Sequence, residues 1–249
     1  MTIETDEDLE KLRAIGRIVA SCLQHMADHL EPGMTTAELD DVGRRFLEAH
    51  GAKSAPKLTY DFPGWTCISV NEEVAHGVPG ARVIQAGDLV NIDVSAEKDG
   101  YFADTGGSFP VGEPSPVQET VCAATKEALA AAMREARAGR PLNQIGAAIE
   151  KVAKRRRLNI IRELGSHGVG GALHEEPSYI APFYEPRDRR RLWKGMVITI
   201  EPFLTTGRSG IAEADDGWTL FTAKGAVTAQ YEHTLVITEG RPLVMTLAA

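Results

Sequence analysis

The chain has 249 residues, of which 43% are hydrophobic and 25% are charged, a composition typical of an ordinary soluble globular protein with one large domain or two small ones. Its formal net charge of -8 disfavours general binding to nucleic acid, and we expect no specific DNA binding. The first thirty residues are acidic and lack a continuous apolar stretch, and no later run could span a bilayer, so we expect a cytoplasmic protein without a membrane partner.

Two helical patterns open the chain, at about residues 6 to 30 and 36 to 50. In the first, apolar residues from Leu9 to Leu23 recur on one side of a helix. Thr35 and Glu38 have the spacing of a capping box, which predicts the start of the second helix. A strand-rich stretch follows.

A β-hairpin is predicted within that stretch. The segments V-N-I-D-V-S-A-E-K and Y-F-A-D-T flank Asp99-Gly100, a dipeptide favoured in two-residue hairpin turns. With this loop, residue 95 opposes 104 and residue 93 opposes 106. Asp93 and Asp104 then share one face, within roughly 7 to 8 Å backbone to backbone, near enough for both carboxylates to reach one metal. The alternative is a pair of solvated acids.

The helical order recurs in the second half of the chain. Ser115-Pro116 introduces a helix that extends to about Arg137, another helix is predicted at about 142 to 157, and more strands follow. The basic run from Lys154 to Arg157 is interpreted as a solvated helix end, because cations suit a helix C-terminus, with a local basic contact as the alternative.

Cysteine usage argues against disulfides and zinc-thiolate sites. The three residues Cys22, Cys67 and Cys122 cannot all pair within the chain, and none belongs to a C-x-x-C motif. We therefore expect reduced thiols.

An internal repeat relates the two halves. H-G-V followed by G-D-L-V-N-I-D in the first half corresponds to H-G-V followed by G-M-V-I-T-I-E in the second, so that His76 and Asp93 match His167 and Glu201. The repeat predicts an α+β fold, a single domain over residues 1–249 made of two helix-helix-strand halves, about 1–112 and 113–249, that share a site along a pseudo-twofold axis. Chance agreement of such short words is the alternative.

Five potential metal ligands lie in strand-like or glycine-flanked segments, and four of them are carboxylates in apolar surroundings, where a lone charge would be costly to bury. They are Asp93, Asp104, His167, Glu201 and Glu232. This ligand set suits manganese, iron(II), cobalt or zinc better than copper(I). Two divalent ions about 3.5 to 4 Å apart would roughly neutralise the acids and activate a water for hydrolysis of an amide or a phosphate.

Other hydrolytic motifs are missing or incomplete. H-E-E-P-S at His174 lacks the second histidine of a zincin helix, and the sequence contains neither a phosphate-binding P-loop nor a nucleophile elbow. His76 and His174 nevertheless sit beside glycine or proline in segments that converge on the acids, which makes both candidates for catalysis.

Six ordered segments carry a family resemblance. They are C-I-S-V-N-E-E-V-A-H-G-V-P (67–79), N-I-D-V (91–94), S-H-G-V-G-G-A-L-H-E-E-P (166–177), I-T-I-E-P (198–202), D-G-W-T (216–219) and Q-Y-E-H-T (230–234). With the Asp104 strand they make the chain similar to type I methionine aminopeptidases from the first helix to the last strand. The resemblance implies a pita-bread fold around a dinuclear metal site.

The resemblance also implies an activity, the removal of N-terminal methionine from nascent proteins and peptides with a small second residue by a two-metal-activated hydroxide. Asp104 and Glu232 would bridge the metals, Asp93 would complete one ion, and His167 with Glu201 would complete the other. Glu201 would also shuttle protons. The partners would be N-termini of nascent polypeptides, with the ribosome near its tunnel exit as a further partner that the resemblance leaves open.

By the same resemblance, His76 and His174 would contact the scissile peptide and stabilise the tetrahedral intermediate. Around the methionine pocket Cys67 and Trp218 match the family. Phe62 and Thr59 stand where tyrosines are common, Pro56 stands at a usual cysteine, and Leu173 replaces a phenylalanine. Because a hydrophobic pocket discriminates a methylene by only about 1 to 3 kcal/mol, other unbranched apolar residues are an alternative to methionine. A-D-T-G-G-S also differs from the commoner G-D-T-S after the bridging aspartate, which predicts altered hydrogen bonds around the ligands.

Three other functions are alternatives. A proline-directed aminopeptidase shares the fold and metals but usually carries an additional amino-terminal domain, for which residues 1–50 leave no room. A catalytically silent binding module for nascent chains or RNA would not need all five ligands and both histidines. A metal-free, creatinase-like amidinohydrolase would not need this acid set.

Overall fold

Five helices lie in the described residues 1–248 of the protein, whose structure is a computed structural model. They are α1 (Asp6–His29), α2 (Thr36–Ala49), α3 (Ala55–Tyr60), α4 (Pro116–Glu135) and α5 (Asn143–Arg156). Capping boxes start three of them, with Thr5, Thr35 and Ser115 as N-caps. These side chains satisfy backbone N–H groups that would otherwise lack partners at the first turn. The four long helices and the capping box at Thr35 confirm the predicted pattern.

Fifteen strands complete the fold within residues 1–248. They are β1 (Lys53–Ser54), β2 (Cys67–Val70), β3 (Glu73–Ala75), β4 (Leu89–Lys98), β5 (Tyr101–Pro110), β6 (Asn159–Ile160), β7 (Ser166–Gly168), β8 (Glu175–Ile180), β9 (Val197–Ile200), β10 (Phe203–Thr205), β11 (Ala212–Glu213), β12 (Leu220–Phe221), β13 (Thr228–Gln230), β14 (His233–Val236) and β15 (Leu243–Val244). One sheet has the order β1-β4-β2 with β5 on β4, and the largest has the order β15-β14-β9-β7-β8. Two smaller sheets have the orders β13-β10-β6 and β11-β12-β3.

The β4–β5 hairpin confirms the predicted register. Ser95 pairs with Asp104 and Asp93 pairs with Gly106. The turn residues Asp99 and Gly100 have φ values of 54° and 85°, the left-handed conformation that a two-residue type I′ turn requires at both positions. Asp93 and Asp104 therefore lie on one face of the sheet, two residues apart along the ladder.

Two apolar cores support the sheets. In the first half, α1 and α2 pack on β2, β4 and β5, and the buried side chains include Leu12 and Ile92. In the second half, α4 packs on β9, β10 and β13, α5 packs on β6 and β8, and the buried side chains include Ile149 and Ile198. Each half is therefore built from helices followed by strands, which agrees with the predicted α+β fold. The division of the single domain into halves near residue 112 stays a prediction.

The two halves meet where β5 faces β13 and β14. Thr234 Oγ accepts from the Asp104 N–H at 2.9 Å, and Thr105 Oγ donates to the Glu232 carbonyl at 2.8 Å. Ser108 Oγ donates to the Gln230 carbonyl at 3.1 Å. Because these threonine and serine hydroxyls hold the strands together, acids from both halves come to one seam.

Other sequence predictions concern the surface and the thiols. The last turn of α5 carries Lys154, Arg155 and Arg156, as expected for a solvated helix end, and both arginines form ion pairs with Glu127. All three cysteines are free and buried. In residues 1–248, no helix combines the length and apolar character needed to cross a membrane.

Candidate metal centre

The structure brings the five predicted ligands together at the seam. Asp93 lies in β4, Asp104 in β5 and His167 in β7, while Glu201 follows β9 and Glu232 precedes β14. Asp104, His167 and Glu232 each offer a ligand atom within 4.8 Å of the others. His167 Nε2 lies 3.5 Å from Glu201 Oε1 and 3.8 Å from Asp104 Oδ2. Asp93 lies opposite Gly106 on the same face of the β4–β5 hairpin, two residues along the ladder from Asp104. Their roles as ligands stay a prediction.

The orientation of His167 leaves one nitrogen available to a metal. Its Nδ1 lies 2.9 Å from the Gly168 carbonyl, which can only accept, so Nδ1 carries the ring proton. Burial lowers the pKa of His167 to about 3, so the ring is neutral near pH 7. The Nε2 lone pair then faces the carboxylates of Asp104 and Glu201, an arrangement that favours a cation between them.

The carboxylates show the same electrostatic need. Burial raises the pKa of Asp93 to about 6. Burial, with repulsion from the neighbouring carboxylates, raises the pKa values of Asp104, Glu201 and Glu232 well above their ordinary range. Asp104 Oδ1 and Glu232 Oε1 are buried without a hydrogen-bond partner among the described residues. Oxygen ligands with one imidazole suit a hard or borderline divalent cation, so this set fits the metals expected from the sequence.

A buried amide network holds Glu232 from behind. Gln230 Nε2 donates to Glu232 Oε2 at 3.0 Å, and Asn91 Nδ2 donates to Gln230 Oε1 at 2.9 Å. A Cβ on Gly106 would lie 2.5 Å from Gln230 Oε1, so only glycine leaves room for this amide. The first glycine of A-D-T-G-G-S therefore makes space for a side chain that orients a candidate ligand.

A cavity of about 410 Å³ opens beside the acids. Six of the pocket residues predicted from the resemblance line it, together with Pro56; the six are Phe62, Cys67, His76, Leu173, His174 and Trp218. Phe62 and Trp218 pack edge to face with ring centroids 5.2 Å apart. The apolar wall next to the carboxylates is suited to an apolar side chain.

The structure corrects the prediction for Thr59. Thr59 is exposed on α3 and does not line the cavity, whereas Tyr60 does. The helix ends directly afterwards, because Asp61 adopts a left-handed φ of 56°. The resemblance implied the residue before the one that lines the cavity, and the local Thr-Tyr-Asp sequence held no signal for the side that each residue faces. Tyr179, Leu164 and Glu163 also line the cavity and were missed.

Two further histidines border the cavity as predicted. His76 has a left-handed φ of 55°, and its ring and that of His174 are exposed to the cavity. Burial lowers the pKa of His174 to about 4, and electrostatic repulsion from His76 makes a smaller contribution. The His174 ring lies 4.0 Å from that of His167, centroid to centroid. H-E-E-P-S leads into strand β8 rather than a helix, so it is not a zincin motif.

Comparison with known proteins identifies the family. Residues 10–239 match the family model described as metallopeptidase family M24. The chain is 45% identical over 247 residues to methionine aminopeptidase 2 of Bacillus subtilis, covering 99% of each protein. It is 39% identical over 251 residues to the methionine aminopeptidase of Escherichia coli, covering 99% of this chain and 94% of that protein.

A solved structure has the same fold over nearly the whole chain. The methionine aminopeptidase from Rickettsia prowazekii superimposes with a TM-score of 0.94 at 33% identity, covering 99% of this chain and 100% of that one. The predicted pita-bread fold and the resemblance to methionine aminopeptidases are confirmed. The chain therefore belongs to metallopeptidase family M24, in which its full-length relatives are methionine aminopeptidases.

Proposed function

We propose that this protein is a divalent-metal-dependent methionine aminopeptidase that hydrolyses the first peptide bond of proteins and peptides whose second residue is small. The observation that carries the proposal is the buried cluster of Asp104, His167 and Glu232, of which Asp104 and His167 line the cavity beside its apolar wall. Sequence identity of 45% to methionine aminopeptidases over 247 residues supports it. A proline-directed or silent relative is not favoured.

The proposed chemistry assigns separate tasks to the residues of the site. The five residues Asp93, Asp104, His167, Glu201 and Glu232 would hold the metal, which when bound polarises a carbonyl and lowers the pKa of water. Glu201 would accept a proton from the attacking water and later return it. The Thr199 hydroxyl donates a hydrogen bond to Glu201 Oε1 at 3.4 Å. His76 and His174 would donate hydrogen bonds where negative charge develops on the peptide oxygen.

The cavity wall supports methionine as the first residue of the substrate. Phe62, Trp218, Leu173 and Cys67 form an apolar surface, with Tyr60 at the position where Thr59 was expected. A surface of this kind recognises a long unbranched side chain by contact area and not by hydrogen bonds. Leucine is therefore the competitor that tests selectivity.

We also propose that the protein acts in the cytoplasm on nascent chains, close to the ribosomal tunnel exit. The support is indirect, since newly made N-termini emerge there. Co-sedimentation of the protein with translating ribosomes tests the contact, and the absence of co-sedimentation at low salt would remove it from the proposal.

Release of amino acids from two matched peptides tests the central proposal. Chelator-stripped protein is assayed with Met-Ala-Ser and Leu-Ala-Ser, with and without added manganese, iron(II) or cobalt. Metal-dependent release of methionine alone is expected. Release from both peptides would keep the aminopeptidase but reject methionine selectivity. No release from folded protein with any metal would reject the proposed function.

A further inference from the structure

The phenol of Tyr60 contacts His174 across the mouth of the cavity. Tyr60 Oη lies 2.7 Å from His174 Nδ1, although the residues are 114 positions apart. The two rings are tilted by 51° with centroids 5.6 Å apart. The contact joins α3 of the first half to the segment before β8 in the second half.

Short-range bonds fix the backbone of α3, the helix that carries Tyr60. Ser54 caps the helix and also donates its hydroxyl to the Trp65 carbonyl at 2.8 Å. Lys57 Nζ donates to the Pro63 carbonyl at 2.9 Å, on the far side of the turn at Asp61. These bonds tie α3 to the loop that follows it.

The hydrogen bond from Tyr60 orients the His174 ring. His167 is fixed by a backbone carbonyl at Nδ1, whereas the ring of His174 bonds to Tyr60. A neutral imidazole carries one proton, and the partner of one nitrogen decides which tautomer is present. Partial burial raises the pKa of Tyr60, so its phenol keeps the proton and can donate it.

We propose that Tyr60 is a positioning residue for His174: its hydroxyl donates to Nδ1, which keeps the ring proton on Nε2 and turns that N–H toward the substrate carbonyl in the cavity. This inference rests on the proposed function, because it assigns His174 a donor role toward the peptide. Without the hydroxyl, the ring can rotate and populate the tautomer that has no donor at Nε2.

A merely apolar role is the alternative, in which Tyr60 supplies only a wall for the methionine side chain. The two roles differ in what the hydroxyl does. If Tyr60 acts only as a wall, its aromatic ring makes the contact with the substrate, so removing the ring raises KM. A positioning hydroxyl strengthens an interaction made in the transition state, so its loss lowers kcat.

Tyr60→Phe separates these roles, because it removes the hydroxyl and keeps the ring. We expect kcat on Met-Ala-Ser to fall about tenfold, as for other partners that orient a functional histidine, with KM changed by less than about twofold. Thr59→Val is the matched control on the same helix, exposed and outside the cavity, and should keep the kcat of the original chain. Far-UV circular dichroism of both variants establishes that α3 and the rest of the fold persist.

A double-mutant cycle adds a second discriminating measurement. In the His174→Ala background, Tyr60→Phe should lower kcat no further, because the hydroxyl then has nothing to orient. An equal tenfold loss in both backgrounds, or a loss confined to KM, would overturn the proposal.

Nitrogen-15 NMR of the His174 ring, assigned by comparison with His174→Ala, gives a readout that does not depend on turnover. The two nitrogen shifts should report an Nε2–H tautomer in the original chain and move toward each other, as for averaged tautomers, in Tyr60→Phe. Unchanged shifts would overturn the positioning role. If the original chain releases no methionine but the shifts follow the hydroxyl, the proposed function fails while the contact stands.

Discussion

Gly106→Ala should damage the metal centre without touching a candidate ligand. The new Cβ would lie 2.5 Å from Oε1, 2.7 Å from Nε2 and 3.0 Å from Cδ of Gln230. Gln230 is 1% exposed and its strand β13 is buried along its length, so the amide cannot tilt away without breaking its hydrogen bonds. The substitution therefore displaces the side chain that donates to Glu232.

The size of the effect follows from the groups left without partners. Glu232 Oε2 loses its donor, and the Gln230 amide loses both Glu232 and Asn91, whereas Asn91 keeps contacts to Gly107 O and Ser108 Oγ. Two buried groups without partners cost about 1 to 3 kcal/mol each. The gain of about 0.5 to 1 kcal/mol from replacing glycine offsets part of this. We expect the free energy of unfolding to fall by about 1 to 5.5 kcal/mol.

Urea unfolding and manganese titration by calorimetry measure the two consequences. Metal affinity should fall about 10- to 100-fold, the usual cost of losing a partner that orients a metal ligand. Gly107→Ala is the matched control, since its Cβ would meet the far edge of the Phe109 ring at 3.1 Å, and it should change stability by less than about 1 kcal/mol. In a Gln230→Ala background, Gly106→Ala should cost little more, because no clash remains.

Two outcomes would refute this reasoning. If Gly106→Ala binds manganese as tightly as Gly107→Ala, the amide does not orient Glu232. If Gly106→Ala destabilises the Gln230→Ala background as much as the original chain, the clash lies elsewhere in β5.

The other predictions concern the acids. Glu201→Ala should abolish methionine release and weaken manganese binding, while the metal-free variant should unfold at the same or higher urea concentration because a buried carboxyl has gone; full activity in this variant would contradict the proton-shuttle role. Chelated protein should lose stability as pH rises. Burial raises the folded pKa of Asp93 to about 6 from the ordinary 3.8, so its contribution is present below about pH 4 and lost by about pH 6, and the higher pKa values of Asp104 and Glu232 extend the loss. Below about pH 6.5 the lowered pKa values of His167 and His174, about 3 and about 4, work in the opposite direction, because both rings gain a proton on unfolding. Urea midpoints measured from pH 6.5 to 8 should therefore decline without metal and much less with manganese, and a midpoint that rises with pH in this range in chelator would contradict the assignment.

Much of the fold was predictable because it depends on neighbours close in sequence. The capping box at Thr35 and Glu38 spans one helical turn. The Asp99-Gly100 turn sets the register of β4 on β5, and with it the shared face of Asp93 and Asp104. The repeated words around His167 and Glu201, with the family resemblance, indicated the remaining candidates.

The sequence by itself thus determined the four long helices, the hairpin register, the family and the candidate acids, since each is encoded in a local pattern or a family motif. Only the tertiary structure decided which helix face meets the cavity, so that Tyr60 replaces Thr59 and contacts a histidine 114 residues away. Only the tertiary structure showed that Asn91, 139 residues from Gln230, belongs to the network behind Glu232, and that Gly106 makes room for it. These contacts arise when the two halves pack together, and local sequence carries no record of which side chains packing will bring within hydrogen-bond distance.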